Sequence, residues 1–150
     1  MLHRHPFLSL VTGAYLAFVA WLTLTPQSVS VGHVQVFLRL LDALHRHGYA
    51  ESISDTRLEF LANIGLFVPI GMFLLLLFGA GGWWLAALAS FAMTCGIEYA
   101  QHYIPGRVPD GRDLVANGLG ALIGVAIALV LTLPATLRRR RQRRLRMTPA

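Results

Sequence analysis

No lysine occurs in this 150-residue chain and acidic residues number only seven, so the formal net charge of +6 is carried by arginine. Charged residues make up 13% of the sequence and hydrophobic residues 55%, which excludes a water-soluble domain of this length. The one cysteine, Cys95, sits in an apolar run. It can form neither an intramolecular disulfide nor a cysteine metal cage, and it reads as a small buried hydrophobe. Nor does the positive charge describe a basic face. Seven of the arginines fall within residues 138–146 with no aromatic or folded platform beside them, so no nucleic-acid partner is expected.

What the chain does have is apolar runs near the ~20 residues needed to cross a bilayer. They predict an all-α membrane protein with four transmembrane helices, at residues 7–24, 58–78, 83–103 and 114–133. The first run ends at Thr25 and Pro26, where proline cannot continue the helical hydrogen bonding. Its apolar core exceeds the ~7–15 residues of a signal h-region and no Ala-x-Ala-like site follows it, so it reads as a span. Gly79, Ala80, Gly81 and Gly82 form a tight hairpin between the second and third spans, and Pro134 marks the end of the fourth.

Between the first two spans, Val34, Phe37, Leu38, Leu41 and Leu44 recur at helical spacing, with Gln35, Arg39, Asp42 and Arg46 at other positions. This predicts an amphipathic helix over 34–47, too short to cross, lying in the membrane interface or serving as a lid. The expected organisation is a single membrane domain over residues 1–137 and a basic tail over 138–150. That tail either docks on anionic lipids, at roughly 1 kcal/mol per arginine, or is a topological anchor with a disordered end.

An even number of spans puts both termini on one side. His3, Arg4, His5 and the clustered arginines make that side cytoplasmic by the positive-inside rule. Arg39, Arg46, Arg57, Arg107 and Arg112 then fall outside, among Asp42, Glu51, Asp55, Glu59, Asp110 and Asp113.

The polar residues of the apolar region concentrate in residues 98–120, EYAQHYIPGRVPDGRDLVANGLG. The second span begins, the third ends and the fourth begins on the same side, so Asn63, Glu98, Gln101, Arg107, Asp110, Asp113 and Asn117 collect at one end of the bundle. At about 100° per residue, Glu98, Gln101 and His102 share one stripe of the third span, and Ala92, Gly96 and Ala100 another. On the fourth span Asp113, Asn117, Gly120 and Gly124 share a stripe, and its small residues direct it toward other helices.

A purely structural account is available for some of these groups. Arg107, or secondly Arg112, could pair with Glu98 as a clamp that fixes the loop. Asn63 could hydrogen-bond a neighbouring helix, while Pro69 leaves the carbonyl of Gly65 in need of another donor. A clamp uses two partners, and further carboxylates and amides remain.

Asn63-x-x-x-Phe67-x-Pro69-x-Gly71, followed by Glu98-x-x-Gln101, Arg107, Asp110, Asp113, Asn117, Gly120 and Gly124, resembles the pattern of the VanZ-like membrane proteins. The motifs cover about residues 63–124. Many members also carry Asp-Lys-x-x-His between the first two spans, where this chain has only Asp42-Ala-Leu-His45. The departure suggests a separate branch. The resemblance implies a protein of the bacterial inner membrane and cell envelope, in a family named for a protein associated with resistance to the glycopeptide antibiotic teicoplanin.

Two mechanisms can be built on these residues. In the first, Asn63, Glu98, Gln101, Arg107, Asp110, Asp113 and Asn117 form an extracytoplasmic pocket for a polar headgroup such as a lipid-linked envelope precursor. Arg107 would pair with phosphate or carboxylate, and the amides with sugar or amide groups. In the second, an intramembrane enzyme uses two carboxylates as general acid and base on such a lipid or glycan. A metal variant would draw on Glu98, His102, Asp110 and Asp113, but no strict ligand motif is present. No cofactor or metal is therefore expected, and binding is the preferred reading over catalysis. Transport in one subunit is disfavoured by four short spans without an internal repeat, and a structural protein without ligand is the remaining alternative.

Overall fold

The computed structural model describes residues 6–25, 55–105 and 110–147. Within them the chain forms α1 (Pro6–Leu24), α2 (Asp55–Phe78), a 3-10 turn (Ala80–Gly82), α3 (Trp83–Gln101) and α4 (Gly111–Met147). Four segments are long and apolar enough to cross a membrane: Pro6–Leu24, Glu59–Phe78, Ala80–Gln101 and Gly111–Pro134. At a rise of 1.5 Å per residue each comes to about 30 Å, the thickness of a hydrocarbon core. The protein is an all-helical, multi-pass membrane protein. The predicted interfacial helix at 34–47 lies outside the described residues, as does Arg107.

Gly79 closes α2. Its φ of 78° is the left-handed conformation that glycine adopts without a Cβ penalty. Its amide donates to the carbonyl of Leu75 at 2.7 Å, and its own carbonyl accepts from Gly82 at 2.9 Å. That satisfies orphan groups of the helix end and reverses the chain into α3 within four residues, as the glycine-rich sequence predicts.

The fourth span closes at Pro134 as expected, although the helix does not. The apolar span of α4 ends at Pro134, but the helix runs through this proline to Met147. Proline removes one rung of the ladder without obliging the chain to stop. Arginine, which dominates the sequence beyond it, is a good helix former. The backbone of the tail is therefore helical through Met147, in place of the disordered end considered from sequence.

The core joins Val19 of α1, Phe67, Ile70, Leu74 and Leu75 of α2, Ala86 and Ile97 of α3, and Val125 and Ala128 of α4. The most extensive contact is between α2 and α4, and glycine makes it possible. A Cβ at Gly71 would overlap the carbonyl of Ala121, one at Gly120 the carbonyl of Ile64, and one at Gly124 the carbonyl of Val68. The two backbones touch, as small residues allow in lipid, where association depends on close packing. The other predicted small track behaves differently: Ala92 and Gly96 are exposed and nothing lies within 4 Å of a Cβ built on Gly96.

Across the bundle, the Tyr15 hydroxyl of α1 donates to the carbonyl of Leu66 at 2.9 Å. Leu66 adjoins Gly65 in the turn that Pro69 deprives of a donor, so this bond secures α1 to α2 where the ladder is interrupted.

Candidate functional site

The helix directions bring the C-terminal ends of α1 and α3 together with the N-terminal halves of α2 and α4. Asn63 of α2 donates from Nδ2 to Oδ1 of Asp113 on α4 at 2.7 Å. Gln101, 7% exposed at the end of α3, donates from Nε2 to the carbonyl of Thr23 at 3.0 Å. Thr23 belongs to the last turn of α1, whose carbonyls have no partner within their own helix. Residues 50 and 78 apart in sequence are thus bonded at one end of the bundle.

Asp110 has a local role. Its Oδ1 accepts from the amide of Arg112 at 2.9 Å, and its carbonyl accepts from the amide of Asp113 at 2.9 Å. It is the N-cap of α4, where a carboxylate satisfies an orphan amide and complements the positive helix end. Tyr103, just beyond α3, donates its hydroxyl to Tyr99 at 3.0 Å, which holds its phenol above the ordinary pKa.

Glu98 is approached by the backbone amide of Asp110 and lies within electrostatic range of Asp113 and Asp110. Its Oε1 is buried and has no hydrogen-bond partner among the described residues. The same holds for Oδ1 of Asn117 and Oγ1 of Thr94, in side chains only 5% and 1% exposed. Thr94 precedes Glu98 by one helical turn and Asn117 follows Asp113 by one turn. As α3 and α4 run in opposite directions, both lie about 6 Å deeper than the acidic pair. The bare oxygens thus extend the polar end inward by a turn.

Thr94 was not singled out from sequence. Hydroxyls in helices commonly bond back to the carbonyl four residues earlier, as Thr12 does to Leu8, Thr23 to Val19, Ser90 to Ala86 and Thr132 to Ala128. Thr94 does not. The signal that could have found it is the four-residue spacing of Ser90, Thr94 and Glu98 along α3.

Some expected partners do not join the cluster. His102 is exposed, with its ring edge-on to Tyr103 at 5.5 Å. Arg112 is exposed and lines a cleft with Arg57. The proposed Glu98–Arg107 clamp cannot be placed, because Arg107 lies outside the described residues. Among those residues no group of three His, Cys, Asp or Glu side chains is arranged to hold a metal ion.

Chemically, the cluster offers hydrogen-bond acceptors in excess of donors, enclosed at one end of a membrane bundle. Each buried polar group without a partner costs about 1–3 kcal/mol. No curated protein and no solved structure matches the chain. The VanZ/LLP1 family model does, over residues 12–132. That match extends well beyond the 63–124 motif region, taking in most of α1 and all of α2 and α3. With its polar motifs gathered at one end of a four-span bundle and most of its length matched, the chain belongs to the VanZ/LLP1 family.

Proposed function

We propose that this membrane protein binds a polar, donor-rich headgroup of a bacterial envelope component, such as a lipid-linked glycan. The pocket would be formed by Asn63, Glu98, Gln101, Arg107, Asp110, Asp113 and Asn117, with Thr94 at its floor. The observation that carries this reading is the set of bare oxygens on Thr94, Glu98 and Asn117. A sugar or other polyol headgroup supplies the hydroxyl donors they lack. Gln101 and Asp110 would shape the pocket, since their described bonds hold α1 and the start of α4. Residues 1–137 act as one membrane domain in the inner membrane, with both termini and the tail of residues 138–150 cytoplasmic and the pocket opening outward. A link to teicoplanin would arise through the envelope precursors exposed on that outer side.

The test uses full-length protein purified in mild detergent and incubated with extracted bacterial lipids, with bound species identified by native mass spectrometry. A glycan-bearing lipid should co-purify and be lost in E98Q and N117L, with the variants still folded. Retention of the lipid by both variants would sink the pocket. A new lipid product that disappears in E98Q would replace binding by catalysis. Failure of E98R and R107E to accumulate, with rescue in the charge-swapped pair, would favour the structural clamp.

A further inference from the structure

The charges of this chain divide between the two ends of the bundle. Asp55 and Glu59 open α2, Glu98 lies in the last turn of α3, and Asp110 and Asp113 open α4, so these five acids share one end. Asp42 and Glu51, the other two, belong to the connection from the close of α1 to the opening of α2, and both of those points lie at that same end. At the opposite end α1 starts, the glycine hairpin turns and α4 leaves. There the sequence places Arg4, just ahead of α1, and the seven arginines of residues 138–146, and no acidic residue follows Asp113. A carboxylate side chain of this chain could meet those arginines only by crossing about 30 Å of hydrocarbon, which is costly.

The unbroken helix sets the level of the arginines. Its apolar span closes at Pro134 and the helix continues to Met147. At a rise of 1.5 Å per residue, Arg138 to Arg141 follow at about 6–10 Å along the axis and Arg143 to Arg146 at about 14–18 Å. A headgroup layer is about 5–8 Å deep on each side of the hydrocarbon, so the first four coincide with it and the rest stand beyond it. Exposed Trp83 and Trp84, at the start of α3, mark the same interface. At about 100° per residue the four consecutive arginines pass once round the helix, so their charge is not confined to one face. Like charges three and four apart, such as Arg139 and Arg143 or Arg140 and Arg144, repel along a helix. Anions placed around it relieve that repulsion.

We propose that Arg138, Arg139, Arg140 and Arg141 form a collar round α4 that gathers the phosphate headgroups of anionic membrane lipids at this end of the bundle. Arg143, Arg144 and Arg146 contribute less, because charges separated by more than a Debye length of about 8 Å are largely screened. The collar uses none of the residues of the pocket proposed above and lies across the membrane from them.

The experiment places the full-length protein in nanodiscs of dioleoyl phosphatidylglycerol and dioleoyl phosphatidylcholine in equal parts, and reads the lipids retained on the released protein by native mass spectrometry. Phosphatidylglycerol should be retained in preference. R138Q/R139Q/R140Q/R141Q should lower that preference about fivefold or more, a factor that one arginine near the surface already supplies. R143Q/R144Q/R146Q should lower it less. R138K/R139K/R140K/R141K should keep most of it, since a ring of charge needs no planar fork, and so report an intact fold. E98Q should leave it unchanged, whatever becomes of the pocket. An unchanged preference in R138Q/R139Q/R140Q/R141Q overturns the collar. So does a larger loss in R143Q/R144Q/R146Q, a loss in the lysine variant as complete as in the glutamine one, or a preference that disappears in E98Q.

Discussion

The two halves of one stripe on α4 have opposite characters. Gly120 and Gly124 press against the backbone of α2, so that not even a methyl group could be inserted. One turn outward, Asn117 is as enclosed as the glycines, yet its Oδ1 has no partner among the described residues. The inner half is complete in itself and the outer half is not. The contrast separates what holds this bundle together from what it has available for a guest. Small residues do the first; in the proposed reading, the buried oxygens that have no donor among the described residues would do the second.

The comparison breaks most readily at Gly124. Gly124→Val places carbon where the Val68 carbonyl and Met72 amide already are, and should cost about 3 kcal/mol or more. Loss of folded protein, or a large drop in the detergent unfolding midpoint, is the expected result; a midpoint equal to the parent's would show that the seam can open. Next comes Asn63→Leu, which removes the bond to Asp113 and should lower stability by about 1–3 kcal/mol.

Thr94→Val and Asn117→Leu should go the other way. Each removes a buried oxygen that has no partner among the described residues, so unfolding in titrations with sodium dodecyl sulfate should be unchanged or shifted toward greater stability by up to about 1 kcal/mol. Headgroup binding should nevertheless fall. If both variants unfold as readily as Asn63→Leu, these oxygens belong to the scaffold and the contrast collapses. The smallest effect is expected at Gly96→Leu, where the added side chain meets open space: within about 0.5 kcal/mol of the parent.

The spans, the glycine hairpin and the gathering of Asn63 with Asp113 were legible because they follow from length, turn chemistry and the direction of each helix. Gly120 and Gly124 were legible because their spacing is itself a packing signal. Which face of α3 turns inward was not. In lipid an exposed helix face is as apolar as a buried one, so hydrophobic pattern lost its direction and the track at Ala92 and Gly96 resembled a contact it does not make. Thr94 was hidden for a related reason: a threonine in a helix normally satisfies itself, and only the surroundings reveal that this one does not. The role of Gln101 depended on a carbonyl, that of Thr23, which no side-chain pattern advertises. Pro134 marked the end of the apolar span but not of the helix, because a proline signals a lost bond and no more.

The unbroken run of α4 past Pro134 has a mechanical consequence. Its 37 residues make a rod about 55 Å long, with Asp113 near one tip and the arginines along the other. Because the glycine seam presses the rod against α2 at Gly120 and Gly124, in its outer two fifths, the rod has a bearing nearer its acidic tip. A tilt imposed at the acidic tip would reach the basic tip only through Pro134, the one place in the rod where a rung of the ladder is missing.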